Sequence, residues 1–255
     1  MPDMSSAPAF SHLHVHSEYS ILDGANQIGP MVDRACECGM AHVGLTDHGT
    51  MAGTLELYRT ATKAGIRPVL GMEAYLTQDQ ALKAMPDGTR SETTHLTLLA
   101  ADNVGWQNLM ALSSQACLEG MYYKPRTDYE HLAAKTKGLI CLTGCMASKT
   151  QQYILEGNDA GAREEVDRLK QIFGADNVYV EIQDNGVVAD NGMSQEAINA
   201  KLRRISVDLG LPAVITSDVH YLLQEHAKPH DALLCIQTKA RIADEKRFRF
   251  STDQF

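Results

Sequence analysis

Short apolar or β-branched runs alternate with longer amphipathic stretches along this chain. The short runs predict strands at 10–14, 42–46, 68–70, 95–100, 139–143, 178–182 and 213–216. The longer ones predict helices at 28–38, 51–64, 104–119, 159–173, 191–209 and 225–237. Their ends carry the expected punctuation. Pro30 stands near the start of the first and Gly39 follows it; Gly65, Gly120, Gly174 and Gly210 close four others, and Asn158 caps the fourth. Such alternation favours an α/β architecture with parallel strands, and with this many units a barrel is as reasonable as an open sheet. Neither G-x-G-x-x-G nor G-x-x-x-x-G-K-[ST] occurs, so the nucleotide-binding open sheet loses its usual support. Segment 78–93 is a polar excursion around Pro86, Asp87 and Gly88, and 120–130 is a second irregular stretch.

Composition narrows the class. The 255 residues are 44% hydrophobic and 22% charged, ordinary for a globular chain that buries its core without disulfides. No run of about 18 apolar residues predicts a membrane span, and the first ten residues lack the basic-then-apolar order of a secretory leader. A cytoplasmic location, no membrane partner and six free thiols follow as expectations. The net charge of −9 argues against gripping nucleic acid through a broad basic face. Excess carboxylate does suit a pocket that holds cations.

The chemistry concentrates in HLHVHS, where His12, His14 and His16 alternate and would share one face of a strand. Three imidazoles on one face are seldom needed for packing, and imidazole is the commonest ligand for transition metals near neutral pH. Further donors follow other strands: His48 in TDHG, Glu73 in GMEAY, Cys145 in LTGC, and Asp218 with His220 in SDVHY. In an α/β barrel the carboxyl ends of the strands converge on one face, where catalytic groups gather. His95 is the exception, because it opens its strand. Each residue alone has an ordinary explanation as cap, core or solvated group; the joint pattern points to a metal site.

These motifs, in the order HLHVHS, LDGA, TDHG, GMEAY, HLTLLA, LTGC and SDVHY, resemble those of the PHP (polymerase and histidinol phosphatase) superfamily. YSILDGA, GLTDHG, YYKPR and the closing RFRFSTDQF are similar to the version fused to the alpha subunit of bacterial DNA polymerase III. The resemblance covers almost the whole chain. It implies one domain over 1–255, cut from a longer polymerase chain, with a distorted (β/α)7 TIM-like barrel. It implies up to three divalent ions, zinc foremost with manganese or iron compatible, held by His14, His16, Asp23, His48, Glu73, His95, Cys145, Asp218 and His220. None of those positions carries a non-ligating residue, which favours an active site over a relic. Asp218, His220 and Glu73 would then form the catalytic group around metal-held water, with no separate base assigned and His12 one option for proton transfer. The implied function is phosphodiester hydrolysis at a primer 3′ end, a metal-dependent 3′–5′ proofreading exonuclease serving DNA replication. Tyr19, Lys124 and Arg126 are candidates for the DNA. Implied partners are DNA, the rest of the polymerase chain, a separate proofreading exonuclease subunit and other replisome subunits. The polymerase's own nucleotidyltransferase site would lie beyond Phe255. A non-enzymatic scaffold that stabilises the polymerase or docks such a subunit is one alternative; a histidinol-phosphatase-type phosphomonoesterase is another.

Overall fold

The computed structural model describes residues 10–21, 23–85 and 87–250. The first nine residues, Leu22 of the YSILDGA motif, Pro86 and the end of RFRFSTDQF lie outside them, as do the expectations placed there. The chain runs α1 (Ile28–Glu37), β1 (His42–Leu45), α2 (Thr54–Ala64), β2 (Arg67–Thr77), β3 (Thr94–Ala100) and α3 (Asn103–Leu118). It continues through β4 (Met121–Tyr122), β5 (Lys124–Asp128), α4 (Tyr129–Ala133), β6 (Leu139–Leu142), α5 (Lys149–Leu155) and α6 (Asp159–Phe173). Last come β7 (Val178–Gln183), α7 (Gln195–Leu209), β8 (Ala213–Thr216) and α8 (Ala227–Thr238).

β2 is the longest strand and organises the sheet. Arg67–Leu70 pair in parallel with β1, Gly71–Leu76 pair antiparallel with β3, and Tyr75–Thr77 pair in parallel with β5. β3 runs antiparallel to β6 as well, and β6, β7 and β8 are parallel. The segment around residues 12–17 bridges the remaining gap. The Gly44 and Thr46 N–H groups donate to the His12 and Val15 carbonyls on one side (2.7 and 2.8 Å), and His16 donates to the Val219 carbonyl on the other (2.8 Å). The sheet therefore curls through this segment, β1, β2, β3, β6, β7 and β8, in keeping with the expected α/β barrel-like fold.

Two departures matter for the site. β3 is antiparallel, so the expectation of uniformly parallel strands fails there. Nor is 10–14 a regular strand: the segment makes isolated bridges at Val15 and Ser17, then turns as the Ser20 N–H bonds the Ser17 carbonyl. Its close seating depends on Gly44, where an added Cβ would lie 2.8 Å from the Leu13 Cα.

Apolar burial among the described residues falls into two clusters. The larger packs α3, α6 and α7 on the outer faces of β2, β3, β6 and β7, with Leu98, Leu109, Val166, Val180 and Leu202 fully buried. The smaller joins α1 and α2 to β1 through Ile28, Val32, Leu45, Leu57 and Val15. Most helices end where the sequence predicted. α7 starts at Gln195 instead of 191 because Ser194 caps it, accepting from the Ala197 N–H, while Val188 and Ser194 bridge a small turn before it. α5, not predicted, carries its own cap: Ser148 accepts from the Gln151 N–H. The 120–130 stretch holds β4, β5 and the start of α4. The 78–93 excursion is a hairpin-like tip bridged between Ala84 and Arg90.

Candidate metal centre

His14 and His16 enter the centre from the ring-closing segment, Asp23 from the loop after it, His48 from the end of β1, and Cys145 from the end of β6. Asp218 and His220 come from the end of β8. Glu73 lies inside β2 and not beyond its end, since β2 continues to Thr77; the pairing with β1 ends at Leu70, so Glu73 faces His48 across a bridge. His95, the residue whose convergence the sequence left open, joins the others because β3 is antiparallel. Its start lies beside Tyr75 at the same end where the parallel strands finish.

Glu73 is fully buried at the hub. Its Oε1 lies 3.1 Å from His14 Nε2 and accepts from the Cys145 thiol at 3.4 Å. Its Oε2 lies 2.6 Å from His48 Nδ1, 2.9 Å from His95 Nδ1 and 3.8 Å from His16 Nε2. Asp218 Oδ1 sits 3.3 Å from His14 Nε2 and 3.2 Å from His16 Nε2. Asp23 approaches His48 Nε2 at 3.2 Å and His220 Nε2 at 3.6 Å. Asp218 has a left-handed backbone (φ 50°), tolerable for aspartate but uncommon, and its carboxylate points inward.

The donor set fits a divalent cation. His14 Nε2, His16 Nε2, His48 Nδ1, Asp23 Oδ1, Glu73 Oε2 and Asp218 Oδ1 are buried and crowded together, yet make no well-aligned hydrogen bond. Among the described residues, three overlapping trios have ligand atoms within 4.8 Å of each other: His16, His48 and His220; His14, His16 and Glu73; His48, Glu73 and His95. Imidazoles, carboxylates and one thiol suit zinc, manganese or iron better than an all-oxygen ion such as magnesium.

Electrostatics follow from this crowding. Burial, then His48 and His220, push His16 down to about 3. Burial opposes ionisation of Asp23, yet hydrogen bonding and charge from His48, with His220 and His16 nearby, bring it down to about 2. His48 rises to about 10 because Glu73 and Asp23 outweigh its burial. Glu73 and Asp218 are likewise held well below the carboxylate range against their burial by the surrounding histidines. Burial and the Glu73 and Asp218 charges keep the Cys145 thiol well above its ordinary value. A cation beside Cys145 would reverse that balance and favour the thiolate.

Several groups lie elsewhere than the sequence suggested. His12 leaves the alternation: it lines a cavity beneath α1 with Val15, Asn26 and Met31, and not the one lined by Asp23, His48, His95, Asp218 and His220. Arg126 is 1% exposed, and its guanidinium donates to the carbonyls of Gly120, Leu82 and Gln80, so it clamps these loops together. The Tyr19 hydroxyl donates to Glu56 at 2.8 Å. Lys124 is exposed, with its ammonium 4.1 Å from the centre of the Tyr75 ring, and Tyr75 in turn lies against His48 and His95.

Sequence reasoning missed Glu181, which is fully buried behind His14: its Oε1 takes the His14 Nδ1 contact at 2.6 Å and its Oε2 accepts from the Gly144 N–H at 3.0 Å. A glutamate inside the apolar run VYVEIQ was the available signal. Asp47, beside His48, was also missed; it accepts from the Ser17 N–H and hydroxyl and the Ser20 hydroxyl, fixing the turn that carries His16. His230 of α8 contacts the Asp23 carbonyl through Nε2 at 2.7 Å and steadies that loop.

Among solved structures, the fold is similar to an amidohydrolase from Chromobacterium violaceum with bound sulfate and no metal. The TM-score is 0.50 at 18% identity, covering 82% of this chain and 87% of that one. Curated relatives named DNA polymerase III subunit alpha are 38% identical in Borreliella burgdorferi (99% of this chain) and 40% identical in Treponema pallidum (97%). The chain spans 21% of the length of each, about a fifth. The family model for the PHP domain matches residues 12–185, which contain seven of the nine clustered donors and leave Asp218 and His220 outside. By that match, this chain belongs to the PHP domain family.

Proposed function

We propose that this chain is the PHP domain of a replicative DNA polymerase III alpha subunit and that it hydrolyses phosphodiesters at a DNA 3′ end, as a 3′–5′ exonuclease. The observation that carries the reading is the Glu73 hub, one buried carboxylate whose two oxygens address two different groups of donors. Glu73 would bridge. His14, His16, Asp23, His48, His95, Cys145, Asp218 and His220 would hold up to three ions with it; His16 stands near Asp218 and near Glu73 Oε2, and Cys145 lies beside both Glu73 and His95. Divalent ions there would make bound water acidic and neutralise charge on the attacking and leaving oxygens. The chain's own part is positional: Asp218 and His220 fix the open side of the centre, and Asp23 orients His48 and His220. The relatives support the placement in a polymerase chain; DNA, the remainder of that chain and other replisome subunits are its partners in this reading.

The test is metal content per chain, by elemental analysis of protein purified without chelator, followed by 3′-end hydrolysis, in the parent and in Asp218→Asn. Asparagine tolerates the left-handed backbone, so a deficit reports on the carboxylate. Two to three zinc or manganese ions, reduced in the variant together with hydrolysis, are expected. Full metal-dependent hydrolysis by Asp218→Asn refutes the site. Metal without hydrolysis leaves the scaffold role as the function.

A further inference from the structure

A cavity of about 810 Å³ opens from the metal centre, within the range of small-molecule sites and larger than a phosphate needs. Its lining includes Asp23, His48 and His220 of the centre, Val187 and Val188 from the turn before α7, and residues 247–250. That last segment is anchored: both terminal nitrogens of Arg247 bind the Asp231 carboxylate of α8. From this anchor an aromatic path leads to the centre. The Phe250 ring meets His220 edge-on at 4.9 Å, and Phe248 meets Phe250 at 5.9 Å. Phe248 is 54% exposed and Val188 57%, so two apolar side chains from distant stretches face the same cavity uncovered. Between the two phenylalanines, Arg249 is exposed and spends one nitrogen on the Asp244 carbonyl. Glu156 and Asp190 line the cavity too, and they disfavour a second phosphate in their neighbourhood.

We infer that this cavity is a nucleoside pocket, in which a base stacks on Phe248 beside Val188 while Arg249 meets the adjoining phosphate at the edge of the metal centre. The inference rests on the phosphodiesterase reading and deepens it. A flat aromatic group with one adjacent phosphate matches an exposed ring next to a cation; a bare phosphomonoester would leave the ring unused.

The experiment is calorimetric titration of the full chain, with manganese present, using thymidine 5′-phosphate and 2-deoxyribose 5-phosphate. Parent, Phe248→Ala and Phe248→Trp are compared. The base-bearing ligand should bind the parent about tenfold tighter than the baseless one; alanine should abolish that advantage and tryptophan should retain it. Equal affinity for the two ligands in the parent, no measurable binding of either, or an advantage that survives Phe248→Ala overturns the inference. Base-dependent binding without 3′-end hydrolysis would remove the nuclease reading and leave the pocket standing.

Discussion

Replacing Glu181 by glutamine tests whether a residue that need not touch a metal sets the centre's affinity for one. Glu181 presents one oxygen to the Gly144 N–H at 3.0 Å and the other to His14 Nδ1 at 2.6 Å, and the oxygen that meets His14 also accepts from the Thr216 hydroxyl at 2.5 Å and the Gln183 amide at 3.4 Å. A carboxylate meets all of these when Nδ1 carries the His14 proton, and the Nε2 lone pair is then free toward Glu73 and Asp218. Glutamine has the same shape but one oxygen. The Gly144 N–H is a fixed donor and claims it, which turns the amide NH2 toward Nδ1. Nδ1 must then accept, the proton moves to Nε2, and the ligand atom is lost. The opposite amide orientation sets two donors against each other inside a fully buried site, at about 1–3 kcal/mol. Removal of such orienting partners costs about 10–100-fold in metal affinity, or ~1.4–2.8 kcal/mol. The assay is competition against a chromophoric chelator, with circular dichroism confirming that Glu181→Gln remains folded. A folded variant whose affinity stays within about threefold of the parent would refute the orientation argument.

Arg126→Ala should lower stability by about 3 kcal/mol or more, because it strands three carbonyls that the guanidinium now satisfies in a buried place, yet leave metal affinity unchanged; thermal unfolding beside metal titration checks both. Asp128 caps α4. Burial pushes its carboxyl upward, but bonds from the His131 N–H and ring and from the Gln80 N–H win and set it below its usual value. A depressed carboxylate contributes stability that is complete above its unfolded pKa of about 4 and is lost as pH falls through the folded value. Asp128→Asn should therefore be less stable near neutrality and lose less on acidification, as read from urea midpoints against pH. Gly105→Ala should unfold α3 from its seat, since the new Cβ would stand 1.7 Å from the Gly138 carbonyl oxygen, whereas Gly29→Ala meets nothing within 4 Å and should change stability by no more than about 1 kcal/mol. Thermal midpoints of the two variants compare them.

The sequence by itself determined which residue types could meet and roughly where each element runs. Donors at the ends of strands, with glycines and caps closing the helices, made the α/β layout and seven of the nine clustered side chains legible from local pattern, because strand ends and helix caps are local properties; Asp23 and His95 came only from the family resemblance. His95 and Glu181 were decided by tertiary structure. Strand direction is not written in a strand's own residues, so only the antiparallel pairing of β3 with β2 could bring His95 to the same end as His48. Whether a glutamate in an apolar run points outward or against a buried imidazole depends on a partner 167 positions away. The same holds for His12, which matches the alternation of His14 and His16 in sequence but lies in a segment too irregular to keep all three on one face. Arg126 makes the point from the other direction: a cation in a motif suggests a ligand, and only the fold shows three carbonyls already claiming it. Local pattern fixes what a residue is able to do, and long-range packing fixes which neighbour it does it with.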